Sequence, residues 1–357
     1  IVSNGKLRAS FGEIGNEAVG DYMFEQLISQ RLNNKSTGYI YWIENNNANA
    51  NLLTMYNMPD LVSSTLTWER IRTLNIGLDL GLLNDELTIG FDWFQRENRD
   101  MLAPAQVLPN TLGASAPYEN AGTLRTRGWE LNLNWRHTFG DFDVYANFNI
   151  YDGKTKVVKY RNDDMMINTF YSGAEYGAIW GFETDRYFTT DDCKPGTFEL
   201  DYTTEAGGKL PDQTFLQNGS FVFGPGDVKF KDLDGNGVID GGYRADTDWL
   251  WENRRDLYKD PNDRSKGIYP AGSEKNHGDL KKIGNSMPRY EYSFRLGAAW
   301  KGFDIDMYFQ GVGKRDYWSC SAFVMPLTRG ADCTYDNQNS YNKILYNEAG
   351  QVTGYDI

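Results

Sequence analysis

Two neighbouring stretches, 129–136 and 142–151, confine this chain to a sheet with one greasy face and one wet face. In the first, Trp129, Leu131, Leu133 and Trp135 alternate with Glu130, Asn132, Asn134 and Arg136. In the second, Phe142, Val144, Ala146, Phe148 and Ile150 alternate with Asp143, Tyr145, Asn147, Asn149 and Tyr151. Successive side chains of a strand point to opposite faces, so a period of two sorts them cleanly. Thr138-Phe139-Gly140-Asp141 between them is short enough for a tight hairpin. A half-buried sheet in any β protein alternates too. The excess here is in strand length and in a polar face that carries charge or amide at almost every position.

The same theme recurs along the chain. Leu7, Ala9 and Phe11 alternate weakly with Arg8, Ser10 and Gly12. A strand is expected from about Leu66 to Leu80, with Leu74, Ile76, Leu78 and Leu80 on one face, then a turn over Leu82 to Asp85. Leu87, Ile89, Phe91 and Trp93 line the return strand. Tyr292, Phe294, Leu296, Ala298 and Trp300 descend one face, Lys301-Gly302 turns, and Phe303, Ile305, Met307 and Phe309 come back. Seven long strands are counted. Between them, 14–64, 99–123, 158–288 and 318–357 read as long connections, with a short helix expected over Glu17–Gln30 after Asn16.

The connections are unequal in a regular way. Tight turns near Asn84, Gly140 and Gly302 alternate with the long segments. If consecutive strands are antiparallel neighbours, every tight turn falls at one end and every long loop at the other. That is the layout of an outer-membrane barrel, whose tilted spans need about 9–11 residues. Strands of soluble sheets average about 5–6 residues. The fold class expected is all-β, a partial antiparallel transmembrane β-barrel with long extracellular loops.

Composition removes other classes. The mean hydropathy of −0.60 and the lack of an apolar run of eighteen residues exclude membrane helices, while barrel strands hide their apolar half in alternation. A net charge of −13 argues against nucleic acid, which needs a basic surface. Three cysteines are too few for a disulfide framework and lack zinc spacing; Cys320 and Cys333 are open either to pairing or to remaining thiols beside Cys193. The chain starts at Ile1 with no charged-then-apolar leader and reads as a fragment. Two histidines, His137 and His277, are too few for a catalytic or zinc constellation, and GxSxG, HExxH and P-loop patterns are absent. Acidic pairs such as Asp191-Asp192 do not fix the separation glycosidase chemistry needs. No enzyme is expected.

Two sets of residues suggest binding. Asp232, Asp234, Asn236, Val238 (through its carbonyl) and Asp240 stand at positions 1, 3, 5, 7 and 9 of a calcium-type loop, with Gly237 at position 6. Calcium takes six to eight oxygens, which carboxylates crowded on a glycine turn can supply. Position 12 is Tyr243 rather than glutamate, and Asp246 or Asp248 could substitute. A metal-free Gly/Asp turn stays open as the alternative. In the long connections, Trp42, Tyr118, Tyr176, Trp180 and Trp249 offer flat faces beside amides and carboxylates, which suit sugar rings. Loop packing explains any one of them better.

Several stretches also resemble a family. Leu7-Arg8-Ala9-Ser10-Phe11-Gly12 leading to Gly15-Asn16, and Trp68-Glu69-Arg70 followed by Leu74-Asn75-Ile76-Gly77-Leu78-Asp79, are similar to strands of SusC/RagA-like TonB-dependent transporters of Bacteroidota. So are Asn120-Ala121-Gly122 through Arg127-Gly128-Trp129-Glu130-Leu131, and Ile283-Gly284-Asn285 with Pro288. Gly226-Asp227-Val228-Lys229-Phe230-Lys231-Asp232, running into Asp234-Gly235-Asn236-Gly237, resembles a loop of that family. The matches keep the family's order over most of the chain. The resemblance implies a piece of a 22-stranded barrel lacking its plug domain and final strands. It further implies an outer membrane of a Gram-negative bacterium and uptake of an oligosaccharide or peptide. A SusD-like lipoprotein would cap the outside, and TonB–ExbB–ExbD would act through the plug. The alternative is a secreted calcium-binding β protein that binds or acts on glycans.

Overall fold

The computed structural model describes residues 2–16, 30–32, 54–56, 61–63, 66–104, 111, 116–202, 210–217, 221–319, 343–346 and 352–356. The helix expected over 17–29, Trp42, Cys320 and Cys333 lie outside them; Gln30 begins a three-residue strand, Gln30–Leu32, instead of ending a helix. The chain divides into two compact units. One comprises 1–161, 171–175 and 291–311; the other comprises 162–170, 176–290 and 312–357.

The first unit is built on a sheet of seven strands: β1 (Val2–Asn16), β2 (Glu69–Leu82), β3 (Leu87–Pro104), β4 (Tyr118–Phe139), β5 (Phe142–Lys159), β6 (Arg289–Trp300) and β7 (Phe303–Lys314). They lie side by side in chain order. β1 to β6 are antiparallel to their neighbours. Register joins the apolar alternation into continuous rows. Leu7, Leu78, Phe91, Leu131, Ile150 and Tyr292 stand opposite one another from β1 to β6. One residue along, the other face carries Lys6, Asp79, Gly90, Asn132, Asn149 and Ser293.

The apolar rows are uncovered. Leu7 is 77% exposed, Phe11 70% and Phe303 77%, and Ile76, Phe91, Leu296 and Trp300 are exposed as well. The polar face is knit together instead: Arg8 spans Asp79 (2.7 Å) and Asp92 (2.8 Å), Asn147 donates to Asn134 (2.7 Å), and Asn149 donates to Ser293 (3.3 Å). Gly77 makes room for the arginine, since a Cβ there would stand 2.4 Å from Asp92 Oδ1. A soluble sheet would bury its apolar face and wet the other. Here the polar side is the one with internal partners.

The apolar band has the height of a membrane. On β4 it runs from Phe139 to Trp129, about 34 Å along the strand over ten residue steps. At the usual barrel tilt that is close to the ~25 Å of an outward apolar band. Aromatic rings mark both limits, as they do at bilayer boundaries. Trp300 stacks on Phe142 (5.3 Å) at the tight-turn end, and Phe91 stacks on Trp129 (6.5 Å) towards the other. His137 sits at the tight-turn limit, bonded to Glu86 at 2.7 Å.

The tight turns are as expected. Leu83, Asn84 and Asp85 all take positive φ between β2 and β3, and Gly140 (φ 60°) and Gly302 (φ 91°) turn the other two hairpins. The long connections begin later than expected. β1 runs to Asn16, β3 to Pro104 and β5 to Lys159, while β4 starts at Tyr118, so the expected loop over 99–123 shrinks to 105–117. A break in register at Met101 lets the β3–β4 ladder continue past the point where alternation stops.

The second unit is made of short pieces. Ala178–Phe182 pairs with Leu280–Asn285, and Thr184–Tyr187 with Val228–Phe230. A six-residue helix, α1 (Asp248–Asn253), is capped by Thr247, which accepts from the Leu250 N–H. Two small cores hold it: Phe188, Cys193, Leu200 and Leu210, and Leu250, Leu257 and Tyr258. Burial pushes the Cys193 thiol up.

If the apolar face meets hydrocarbon, charge placed on it costs according to depth. Leu133→Arg, mid-band, is expected to destabilise the full-length protein by about 2–4 kcal/mol, and His137→Arg by about 1 kcal/mol or less. Equilibrium folding into lipid vesicles measures both, and equal costs would refute the membrane placement. The isolated chain is expected to give no monodisperse species in detergent-free water, because β1 and β7 are open edges among the described residues.

Candidate functional site

The loop from Asp232 to Asp240 wraps around a residue that sequence spacing does not reveal. Asp279, fully buried, accepts from the backbone N–H groups of Leu233 (2.6 Å), Asp234 (3.4 Å) and Asp240 (3.0 Å). Asp232 accepts from Gly235 (2.6 Å) and Gly237 (2.8 Å), which curls the chain back on itself. Positive φ at Gly235 (75°) and Gly237 (81°) permits that curl. Ile239, fully buried, donates to the Asp212 carbonyl at 2.7 Å and pins the far end of the loop.

Asp232, Asp234 and Asp279 each bring a carboxylate oxygen within 4.8 Å of the others. Oxygens on opposite sides of a calcium ion, each bound at 2.3–2.6 Å, are about 5 Å apart, so the spacing fits one such ion. Of the five residues expected from the motif, Asp232 and Asp234 join this cluster. The Asn236 side-chain Oδ1 accepts from the Val238 N–H (2.7 Å), and the Asp240 carboxylate accepts from the Gly242 N–H (2.7 Å). Asp246 and Asp248 do not complete the loop. Both pair with Arg264, at 2.9 and 2.6 Å, and Asp246 also takes the Tyr258 hydroxyl. Tyr243, at position 12, is tied through its backbone N–H to Asn276 (2.9 Å).

Crowding shows in the acidity of the site. Burial, helped by the charges of Asp279, Asp232 and Asp240, pushes the Asp234 carboxyl up to about 6. Asp279 is raised too, mainly by burial. Nearby, Glu183 is held down to about 2 by Lys231 (2.6 Å) and Lys281. The contrast is between acids that have a cation and acids that lack one.

The aromatic candidates are dispersed. Tyr118 opens β4 in the first unit and is 49% exposed. Tyr176 stacks on Phe170 (5.5 Å), and Trp180 lies against His277 (5.4 Å) and under Lys282 (5.2 Å). Those contacts are local packing. Trp249, on α1, is 58% exposed, whereas its neighbour Trp251 packs on Tyr258 (4.9 Å).

A raised carboxyl favours the folded loop while protonated. That contribution is complete below the ordinary value of 3.8 and is lost as pH climbs through about 6. In chelator, hydrogen-exchange protection factors for 232–240 in the full-length protein are therefore expected to fall between about pH 4 and pH 7. A rise across that range would refute the crowding.

Comparison with known proteins places these features in a family. The family model described as "TonB dependent receptor-like, beta-barrel" matches residues 3–344. TonB-dependent receptor P3 of Formosa agariphila is 25% identical over 323 residues, 87% of this chain and 25% of the relative. TonB-dependent receptor SusC of Bacteroides thetaiotaomicron is 25% identical over 243 residues, 68% of this chain and 22% of the relative. Among solved structures, the RagAB peptide transporter covers 87% of this chain at 19% identity with a TM-score of 0.51, over 26% of that chain. The RagAB peptide importer in its closed-closed state gives a TM-score of 0.52. The chain thus spans about a quarter of the length of the curated relatives it matches. With its seven-stranded meander and a match over nearly its whole length, this chain belongs to the TonB-dependent receptor-like β-barrel family and carries the marks of its SusC/RagA-like members.

Proposed function

We propose that this chain is part of an outer-membrane importer of a Bacteroidota-like, Gram-negative bacterium, and that it carries oligosaccharides or peptides too large for passive pores. The observation that carries this is the uncovered apolar face on strands whose tight turns all share one end. Lipid covers that face, and the opposite face lines the lumen or meets a plug. Asn132, Asn134, Asn147 and Asn149 supply hydrogen bonds there without fixed charge, which suits a path for polar cargo. Through the plug, TonB–ExbB–ExbD drives opening, and a SusD-like lipoprotein closes the outside over the long connections. One relative is SusC, and the similar RagAB structures are of a peptide transporter and importer, which supports a peptide among the cargo classes. No catalytic residue is assigned.

Calcium is proposed as a structural ion of the 232–240 loop, held by Asp232, Asp234 and Asp279. The support is the convergence of three carboxylates on one point, two of them with their pKa raised by burial. Bound calcium would favour the charged forms and lock the loop to the segment around Asp279. A secreted calcium-binding protein would share this loop, but it would leave the membrane-height apolar band without a purpose.

Deleting the full-length gene is expected to abolish uptake of fluorescently labelled oligomers of one class, glycan or peptide, while monomer uptake stays normal. Normal uptake of both oligomer classes would refute import. For the ion, millimolar calcium is expected to protect 232–240 from proteolysis in the full-length protein, and Asp279→Asn to remove at least tenfold of that protection. Equal cleavage with calcium and with chelator would refute the site.

A further inference from the structure

The lipid-facing side of the sheet does not end at its aromatic limit. Beyond Trp93 and Trp129 the same face continues with Gln95, Glu97 and Arg99 on β3, Arg127 and Arg125 on β4, and Asp152, Lys154 and Lys156 on β5. These positions keep the parity of the apolar rows, so they point to the same side. The Thr126–Thr155 hydroxyl contact (2.8 Å) lies on the other. On the β1–β2 side the charges balance: Arg72 pairs with Glu13, and Arg70 with Glu13 (3.7 Å) and Asp100 (2.5 Å).

On the β4–β5 side they do not. Arg127 stands directly opposite Lys154, and Arg125 directly opposite Lys156. Like charges opposed across an antiparallel pair destabilise it. Glu97, only 7% exposed, is shared by Arg125 (2.7 Å) and Arg99. Glu175 reaches Lys154 at 3.5 Å. Arg127 donates only to neutral Gln95 (2.7 Å), and Lys156 has no carboxylate at ion-pair distance among the described residues. Five cations face three carboxylates (Glu97, Glu175 and the buried Asp152), an excess of two positive charges in a chain of net charge −13. Arg127, Lys154 and Lys156 are exposed.

We infer that Arg127, Lys154 and Lys156, with Arg125, bind the phosphate of a phosphorylated lipid headgroup in the outward-facing leaflet. Position selects a lipid over free phosphate. The cluster begins two residues, or about 7 Å, past Trp129, so an amphiphile with acyl chains along the apolar rows brings its headgroup to that height. The guanidinium of Arg127 gives a fork for phosphate oxygens, and the two lysines add point charges. A bound phosphate would relieve both opposed pairs. The inference rests on the membrane placement proposed above.

The test uses the full-length protein in detergent, titrated with phosphorylated lipid A, with the same lipid freed of phosphate, and with inorganic phosphate, and read by native mass spectrometry. Wild type is expected to bind the phosphorylated lipid about tenfold or more tightly than the dephosphorylated one. The triple variant Arg127→Gln, Lys154→Gln, Lys156→Gln is expected to lose that preference and keep its affinity for the dephosphorylated lipid. If the triple variant fails the heat-shift test for folding, Lys156→Gln alone is read, with an expected loss of about threefold. Equal wild-type binding of the two lipids, an unchanged variant, or occupancy by inorganic phosphate alone at millimolar concentration would each overturn the inference. Wild-type protein that inserts into vesicles but shows no phosphate preference would refute only the headgroup site; failure to insert would refute the membrane placement itself.

Discussion

Every backbone N–H and C=O that enters hydrocarbon must find its partner within the protein, since no water is there to take its place. That requirement explains the first unit more fully than any side-chain contact does. It calls for strands long enough to cross, paired along their whole length, and joined at one rim by turns that waste no residues. β3 and β4 meet it with an almost unbroken register from Leu87↔Trp135 to Pro104↔Tyr118. Side chains are then free to divide by parity, apolar to one face and polar to the other. Arg8, with Asp79 and Asp92, shows how the polar face exploits this. Charge on that side is spent on neighbours across two strands.

The hairpins were legible in the sequence because parity is a local signal. Leu131 and Ile150 announce their faces from their own neighbours, and Gly140 and Gly302 mark turns where φ must be positive. Strand ends were not legible. Past Trp129 the outward positions become Arg127 and Arg125, so apolar alternation stops while the ladder continues. Hydrogen bonding carries the strand on, while apolar alternation reports only the part inside the hydrocarbon. Alternation therefore lapses within 99–123 although β3 runs on to Pro104 and β4 starts at Tyr118.

The second unit was opaque for a different reason. Its strands are three to six residues long, too short for a period to register. Its most informative residue is remote as well. Asp279 closes the acidic loop from 46 residues beyond Leu233, and only the folded chain brings the two together. The motif points to Asp232 and Asp234, which the fold brings together with Asp279, but Asp246 and Asp248, which it offers for position 12, are held by Arg264. A loop motif gives the order of ligands along the chain and is silent about a ligand supplied from elsewhere.

Both units thus place charge where it must be answered from outside the local sequence. In the acidic loop three carboxylates converge with no basic side chain among them, and burial raises the pKa of Asp234 and Asp279, favouring their protonated forms. On the β4–β5 face cations oppose cations, although the chain as a whole is acidic and has carboxylates to spare. Random placement in a chain of net charge −13 would favour the reverse at the second site. Stability alone would replace one member of each opposed pair with glutamate, as the β1–β2 side of the same belt does with Glu13. Keeping both lysines opposite both arginines makes physical sense when an anion from the surroundings completes the set. A barrel's outer rim is where such an anion is fixed at constant height.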